Sequence, residues 1–247
     1  MPKKIPWASN ITEVGKNKLI THGVDQREII RSFSYEEMVY LLMFGKKPNE
    51  KERNILRAVI VAYCSHGITG QSTLSVRMAV DCGSSFMNAA MAGFGVGSGE
   101  FHQGALESSM RLIKKAEKST NLEMFVDKWI AQGKVLAGFG HRFHPRDPRA
   151  VELLELCENN SFGGPFITTA KIIEEHIRKL RGRSMNLGAA AAGILLDMGF
   201  SEEIAFLVIM IGRGPMFAAA YIERLNEGNR PFQRIEVTDI KPGRESK

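Results

Sequence analysis

The sequence has few of the features that mark membrane-spanning, secreted or redox-active proteins. Its longest uninterrupted apolar runs are 58–64 and 204–211, well short of the roughly 20 residues that cross a bilayer. The stretch 1–7 has basic residues but no apolar segment behind them, so we expect no signal peptide. Three cysteines occur without a Cys-x-x-Cys pair. We therefore expect a cytoplasmic protein with buried, reduced thiols at Cys64, Cys82 and Cys157.

The sequence also lacks blocks of charge of one sign. The 33 Lys and Arg exceed the 27 Asp and Glu by six, and basic residues alternate with acids, as in 114–118. No basic stripe with interleaved aromatic residues accompanies the excess, so we expect neither a nucleic-acid partner nor a membrane partner. A few arginines that bind an anionic small substrate account for the positive charge equally well.

Strand signals are scarce, and almost every segment has a helical pattern of apolar residues. Helix-capping signatures precede three of these segments: Ser34 with Glu37, Asn49 with Glu52, and Asp147 with Pro148. Only the segment 11–24 resembles a β-hairpin. The sequence predicts an all-α fold with a small N-terminal β-hairpin. We expect one domain over residues 1–247, in which 235–247 form a polar C-terminal tail.

Two of the predicted helices, 189–196 and 205–211, are apolar nearly all round. A helix without a polar face has to be buried on every side. We therefore expect both helices at the centre of the fold.

Glycine is in excess, with 24 in 247 residues, roughly 10% against a usual ~7%. Several of these glycines stand at three predicted helix junctions, 64–67, 93–104 and 138–142. Each junction carries one histidine: His66, His102 and His141. Glycine lets the backbone approach a ligand, and helix ends leave N–H groups free for anions. We interpret the junctions as ligand-binding loops.

Other interpretations of these junctions fit less well. The segment 93–104 has no Gly-x-Gly-x-x-Gly spacing and no strand before it, which argues against a dinucleotide site. His141 and His144 have a spacing that metal ligands use, but Pro145 follows and no acid or cysteine has ligand spacing, so we expect no metal. Structural histidines are one alternative. Neutral imidazoles that stabilise a developing oxyanion are the other.

Three arginines stand beside glycine or proline, namely Arg149, Arg213 and Arg230. Arg213 lies inside an apolar helical stretch, where burial is costly unless an anion pairs with its charge. That anion is either an internal Asp or Glu or the carboxylate of a substrate, which the guanidinium fork binds at two points. The sequence leaves both possibilities open.

Several short motifs together resemble those of one enzyme superfamily. They occupy 65–67, 101–105, 138–142, 147–149, 212–213 and 229–231. The pattern Gly-x-Gly-His followed by Asp-Pro-Arg is the most specific of them, and Phe-His-Gln-Gly-Ala at 101–105 is similar to a loop with a catalytic histidine. The chain thereby resembles the citrate synthase superfamily, and within it the citryl-CoA lyase module of ATP-citrate lyase. The likeness extends over about 11–234.

The resemblance implies a mostly helical homodimer with shared active sites that acts on a CoA thioester and an oxo acid, without a permanently bound cofactor. It implies that His102 hydrogen-bonds the thioester carbonyl oxygen. His141 would polarise the ketone of oxaloacetate or take the hydroxyl proton of a citryl thioester. The implied substrate-binding residues are His66, Arg149, Arg213 and, from the neighbouring chain, Arg230. The implied CoA-binding residues are Lys134, Gly138, Gly140 and Arg142.

One position departs from the family pattern. The family has its catalytic aspartate in an Asn-x-Asp sequence, where this chain has Asn186, Leu187 and Gly188. General base catalysis contributes roughly 10²–10⁴-fold, so the loss needs an explanation. Another carboxylate such as Glu100 substitutes, or a bulkier acyl group occupies the space, or catalysis is lost.

The resemblance and the residues together predict a carbon–carbon lyase. We expect it to cleave a citryl-CoA-type 3-hydroxy-3-carboxyacyl thioester into an oxo acid, oxaloacetate, and acetyl-CoA. The length of 247 residues favours this lyase branch over a full citrate synthase. The alternatives are a citrate or 2-methylcitrate synthase, and a non-catalytic CoA-thioester-binding or regulatory homologue.

Overall fold

The computed structural model describes residues 8–142, 144–228 and 238. Within them a small antiparallel sheet precedes eleven α-helices, which confirms the predicted all-α class. The strands are β1 (Thr12–Gly15), β2 (Lys18–Thr21) and β3 (Val24–Asp25). The first helices are α1 (Gln26–Ser32), α2 (Tyr35–Phe44), α3 (Glu50–Cys64), α4 (Gln71–Asp81), α5 (Phe86–Gly97) and α6 (Ala105–Glu117). The later ones are α7 (Leu122–Ala131), α8 (Pro148–Asn159), α9 (Pro165–Arg181), α10 (Leu187–Asp197) and α11 (Ala205–Asn226).

The N-terminal sheet contains the predicted hairpin and one strand more. Strands β1 and β2 pair antiparallel, with Thr12 opposite Thr21. The chain then turns back through His22 and Gly23, both at positive φ, and the short β3 pairs with β2. A two-residue strand is too short to show a period-2 pattern, which is why the sequence did not predict it.

The predicted helix starts are confirmed. The Glu37 carboxylate accepts a hydrogen bond from the backbone N–H of Ser34 at 2.8 Å, at the start of α2. Asn49 and Glu52 exchange two such bonds at the start of α3. Asp147 is the N-cap of α8, and Pro148 occupies its first turn.

Helix α10 lies at the centre of the fold, as predicted for 189–196. Its residues Leu187 and Ala189–Leu196 are buried, and it packs against α6, α8 and α9. The prediction for 205–211 is wrong in part, because Met210 is 43% exposed. Helix α11 packs mainly on α3, α4 and α5, and its Met210, Ile222 and Leu225 side chains stay exposed.

The stretch Glu202–Asn226 is longer than the uninterrupted runs suggest, and 18 consecutive residues within it have a mean hydropathy of 1.7. By length and composition alone it could cross a membrane, but the core helix of a globular protein meets the same criteria. Gly212 brings α11 against α3, since a Cβ there would lie 2.7 Å from the Ile60 carbonyl oxygen. The guanidinium of Arg213 is buried one residue further on. Both features fit a core helix.

The three cysteines are free, but they are not all buried as predicted. Cys157 is buried, Cys64 is half-buried and Cys82 is exposed. Cys82 caps the C-terminal end of α4, where the chain leaves the helix, and therefore does not share the burial of the helix interior. The predicted tail, 235–247, lies outside the described residues except for Thr238.

Candidate active site

The three histidine junctions converge on one cavity of about 140 Å³. His66 follows the end of α3, His102 lies in the turn before α6, and His141 lies in the loop before α8. Arg149 in the first turn of α8 and Arg213 in the middle of α11 line the same cavity. Five residues predicted from distant parts of the sequence thus meet in one place.

The second junction is shorter than predicted. Helix α5 extends to Gly97, so only 98–104 form a loop. Gly93 serves helix packing, because a Cβ there would lie 2.7 Å from Val76 and 2.8 Å from Phe217. The interpretation of 93–104 as one ligand-binding loop is therefore wrong for its first half, where the small residue allows helices to approach closely.

His102 is held by a buried hydroxyl. Its Nε2 lies 2.9 Å from the Oγ of Ser72, a fully buried residue of α4. Burial, and then the positive charges of Arg213 and Arg142, lower the pKa of His102. The imidazole is therefore neutral at physiological pH. A neutral imidazole can donate a hydrogen bond to an oxyanion through its single N–H.

The other two imidazoles are also kept neutral. Burial, followed by the charges of Arg213 and Arg149, lowers the pKa of His66 to about 4. Its Nδ1 lies 3.4 Å from Nη1 of Arg149, and its ring centroid lies 6.0 Å from that of His102. Burial is also the main cause that lowers the pKa of His141, whose Nδ1 accepts a hydrogen bond from the His144 N–H at 3.2 Å.

Arg149 is paired with an internal carboxylate. Its Nε and Nη2 donate to the two oxygens of Asp147 at 3.0 and 2.9 Å, and Asp147 also accepts from the Leu187 N–H at 3.0 Å. Burial alone would raise the pKa of Asp147, but these hydrogen bonds outweigh it and the pKa is lowered. Asp147 therefore stays ionised, offsets the charge of Arg149 and joins α8 to α10.

Arg213 has no such carboxylate among the described residues. Its side chain is 2% exposed, and with the Gln103 amide turned so that its oxygen faces the guanidinium, that oxygen accepts from Nε and Nη2 at 3.2 Å each. Nη1 has no hydrogen-bond partner there. Burial, and then Arg149, lower the pKa of Arg213 to about 10, so it stays charged at neutral pH. The internal ion pair that the sequence left open does not form within the described residues.

Asn186 fastens the third junction to the start of α10. Its N–H donates to the Gly138 carbonyl at 2.9 Å, its Nδ2 donates to the Gly140 carbonyl at 2.7 Å, and its Oδ1 accepts from the Gly188 N–H at 2.8 Å. These three bonds place Gly188 at the cavity wall. This bridging role of Asn186 was not predicted from the sequence.

Gly188 is open toward the cavity. A Cβ there would lie 3.1 Å from Asn186 Oδ1 and 3.8 Å from the Gly138 Cα, so a side chain could be accommodated. Asp147 is the one carboxylate among the described lining residues, and its oxygens are already engaged. Glu100 lines a neighbouring cavity instead, so the structure does not place it as a substitute for the missing aspartate.

The predicted CoA-binding residues lie on two sides of the third junction. Lys134 and Gly138 line a cavity of about 570 Å³, where the Lys134 Nζ lies 4.8 Å from the ring centre of Trp129. Gly140 and Arg142 line a separate cavity of about 550 Å³. The structure therefore does not bring Lys134 and Arg142 together. Trp129 and Arg183, which line the first and the second cavity, were not predicted from the sequence.

Two further predictions concern Arg230 and metal binding. Arg230, expected from the neighbouring chain, lies outside the described residues. His141 and His144 do stack, with ring centroids 4.7 Å apart. Within the part of the chain that the structure describes, no three His, Cys, Asp or Glu side chains come together as metal ligands.

Comparison with known proteins identifies a family and sequence relatives of this chain. The model of the family described as citrate synthase, C-terminal domain, matches residues 43–236. A citrate synthase from Haloferax volcanii is 26% identical over 227 residues, which are 89% of this chain and 59% of the relative. The chain thus spans less than two thirds of the length of that curated relative.

Solved structures show the same fold. The structure of citryl-CoA lyase from Hydrogenobacter thermophilus matches with a TM-score of 0.85 and 28% identity, over 98% of this chain and 97% of that one. ATP citrate lyase from Methanothrix soehngenii, in complex with citrate and coenzyme A, matches with a TM-score of 0.87 and 19% identity, over 100% of this chain and 43% of that one. At that second identity the likeness shows the fold alone.

Proposed function

Because the chain belongs to the citrate synthase family, we propose that it is a carbon–carbon lyase of the citryl-CoA lyase type. The substrate is a citryl-CoA-type 3-hydroxy-3-carboxyacyl thioester, and the products are oxaloacetate and acetyl-CoA. The hydroxyl gives up its proton and becomes a ketone as the bond between C2 and C3 breaks, and the electron pair of that bond passes into the thioester enolate. The enolate then takes up a proton at C2, which gives acetyl-CoA. The observation that carries the proposal is the cavity itself, where three neutral imidazoles line the same space as a buried arginine that has no counter-ion among the described residues.

We assign the two reacting oxygens to two of the imidazoles. His102, held by Ser72, donates a hydrogen bond to the thioester carbonyl oxygen, where negative charge develops as the enolate forms. His141 contacts the oxygen that changes between hydroxyl and ketone, and exchanges its proton. His66, Arg149, Arg213 and the neighbouring chain's Arg230 hold the carboxylates. Since the Arg149 charge is offset by Asp147, Arg213 supplies most of the attraction among the described arginines.

The cavities beside the third junction suit coenzyme A, which we propose as part of the substrate and not as a bound cofactor. Lys134 stands over Trp129 on one side, and Arg142 and Arg183 line the other. Cations of this kind bind phosphate groups. Gly138 and Gly140 have no side chains, so the third junction can run between these two cavities.

Gly188 bears on which acyl group the cavity accepts. Its backbone has no positive φ, so its conformation does not require glycine, and a Cβ would meet one close contact, Asn186 Oδ1 at 3.1 Å. The missing side chain leaves room beside the reacting carbon. This favours an acyl group larger than acetyl as a second candidate, with a 2-methylcitrate-type substrate in place of citrate.

The homodimer is part of the same proposal. Helix α5 carries exposed apolar side chains on one side of its first half: Phe86, Met87 and Met91 are 42%, 67% and 57% exposed. Such a face is covered in most soluble proteins by another surface. We propose that a second copy covers it, and that Arg230 of that copy reaches the site, as the family resemblance implies. Analytical ultracentrifugation of the wild type and of a Met87→Glu, Met91→Glu variant tests the dimer.

A substrate panel tests the reaction. Purified protein is mixed with citryl-CoA, or with acetyl-CoA or propionyl-CoA plus oxaloacetate, and the products are followed by mass spectrometry. Formation of acetyl-CoA and oxaloacetate from citryl-CoA supports the lyase. Release of free CoA from the second mixtures supports a citrate or 2-methylcitrate synthase instead. Binding of thioesters without turnover supports a non-catalytic homologue.

A pair of variants ties the activity to the cavity. His141→Ala is expected to lose most of the turnover, whereas His176→Ala is expected to retain it, because His176 pairs with Asp127 outside the cavity. Unchanged turnover in His141→Ala would remove the role we give to that residue.

A further inference from the structure

Tyr63 has a buried hydroxyl that the fold does not use. It lies one residue before the end of α3, its side chain is 5% exposed, and it lines the candidate active site. Its Oη has no hydrogen-bond partner among the described residues. By contrast, the hydroxyls of Tyr40 and Tyr221 donate to Glu52 at 2.8 Å and to the Ser84 carbonyl at 3.1 Å.

An unpaired buried hydroxyl is unfavourable for folding. Burial removes the hydroxyl from water, and without a hydrogen bond inside the protein nothing compensates for the lost hydration. Phenylalanine would fill the same space without that penalty, so packing does not explain the tyrosine. A group of this kind at a cavity wall indicates that its partner comes from outside the protein.

The position of Tyr63 in the fold indicates that it acts together with Arg213. Helices α3 and α11 approach each other closely at Gly212, where a Cβ would lie 3.0 Å from the Tyr63 Cβ. Arg213 is the next residue of α11 and lines the same cavity. Its Nη1 also has no partner among the described residues, while its other two nitrogens face Gln103. One cavity wall therefore carries two unpaired donors on adjoining helices.

The chemistry of the two donors points to an anionic acceptor. Burial raises the pKa of Tyr63, so the hydroxyl keeps its proton at neutral pH, and Arg213 keeps its charge. A carboxylate has two oxygens and about four acceptor sites. It can accept from a guanidinium and from a phenol at once, whereas a neutral ketone would leave the charge of Arg213 uncompensated.

We propose that Tyr63 is a further substrate-binding residue, whose hydroxyl donates a hydrogen bond to the same substrate carboxylate that Arg213 binds. This inference rests on the proposed function, since it takes the carboxylate to belong to the oxo acid or to its thioester adduct. Tyr63 thereby adds selectivity for a carboxylate at that position of the substrate.

The test compares Tyr63→Phe with Tyr221→Phe. Each change removes one hydroxyl and keeps the ring, but only Tyr221 loses an internal hydrogen bond. Binding of oxaloacetate is measured by isothermal titration calorimetry, and thermal unfolding is measured without ligand. We expect Tyr63→Phe to unfold no lower than the wild type and to bind oxaloacetate about tenfold or more weakly, as for the loss of a hydrogen bond to a charged group. We expect Tyr221→Phe to unfold at a lower temperature and to bind normally.

The outcomes separate this inference from the proposed function. If the wild type binds oxaloacetate and Tyr63→Phe binds it equally well, the inference is wrong and the proposed function stands. A lower unfolding temperature of Tyr63→Phe with unchanged binding would also overturn it, because the hydroxyl would then have an internal role. If the wild type neither binds oxaloacetate nor turns over any thioester, the proposed function fails and the inference fails with it.

Discussion

The Oγ of Ser72 lies 2.9 Å from Nε2 of His102, and this contact joins a fully buried residue of α4 to the turn before α6. A neutral imidazole has one donor nitrogen and one acceptor nitrogen. When the Ser72 hydroxyl donates to Nε2, the proton of His102 resides on Nδ1. A Ser72 hydroxyl that donates to Nε2 favours the tautomer in which His102 can donate to the thioester oxygen through Nδ1, which the proposed role requires.

Ser72→Ala is expected to lower kcat by about tenfold to a hundredfold, by analogy with the hydrogen-bond partners of metal-ligating histidines, with little change in KM. The variant keeps the fold, since a small side chain replaces another, but it loses the tautomer preference. Steady-state kinetics with the productive thioester measure the effect. Ser75→Ala is the matched control, because the Ser75 hydroxyl donates to the Ser72 carbonyl and not to a histidine. Equal kcat values for the two variants would contradict the role of Ser72.

The parts of the site that local sequence determines could be predicted. The pair Asp147 and Pro148 predicts the start of α8. Asp147 also forms an ion pair with Arg149, two residues further along the chain. Three histidines beside glycines were also enough to place three loops. Groups that act across the fold could not be found in this way. Ser72 and Tyr63 contact the site from α4 and α3, and no spacing along the chain links them to His102 or Arg213.

The wrong or incomplete predictions have physical causes of the same kind. A glycine can mark a ligand-binding loop or a close approach of helices, and Gly93 proves to be the second kind because Phe217 packs on it. Lys134 and Arg142 are close in sequence, but Gly138 and Gly140 lie between them with φ values of +86° and +111°. These positive φ values redirect the chain, so that the two cations line different cavities.

Gly138→Ala is expected to destabilise the protein by about 3 kcal/mol or more, in the range of overpacking combined with backbone strain. A Cβ at this position would lie 2.6 Å from both the Ala189 Cβ and the Ser109 Oγ. Chemical denaturation followed by circular dichroism measures the loss. Gly182→Ala serves as the control, because its φ is also positive, at +62°, but its Cβ would meet nothing within 4 Å. If both variants lost equal stability, backbone strain alone would account for the effect.

The stability of the fold is expected to fall as the pH decreases from about 6.5 to about 4, in part because of His66. Burial and the charges of Arg213 and Arg149 lower its pKa from an ordinary 6.5 to about 4. Between these values the unfolded chain binds a proton that the folded chain does not, so acid favours unfolding. The contribution of His66 is fully present above pH 6.5 and is lost on the acid side of the window.

His66→Gln is expected to remove that part of the pH dependence. Urea denaturation at pH 7 and at pH 4.5 gives the free energy of unfolding of both proteins, and the difference between the two pH values should be smaller in the variant by on the order of 2 kcal/mol, at about 1.4 kcal/mol for each pKa unit. His176→Gln, which removes an imidazole paired with Asp127, is the comparison. An unchanged pH dependence in His66→Gln would mean that His66 is protonated alike in the folded and unfolded chain.

Gly188→Asp is expected to give the site a base that the wild type lacks. The new Cβ would lie 3.1 Å from Asn186 Oδ1, so a small shift of that side chain admits it, and the carboxylate would stand at the wall of the cavity that holds His102 and His141. Deuterium exchange into the methyl group of acetyl-CoA should then rise by about 10²-fold or more, the contribution of a positioned base. Gly188→Asn has the same size without the basicity and should leave the exchange unchanged. If the two variants exchange alike while both remain folded, the missing carboxylate is not what limits proton removal. If Gly188→Asp also rejects propionyl-CoA in favour of acetyl-CoA, the space beside Gly188 is where the larger acyl group lies.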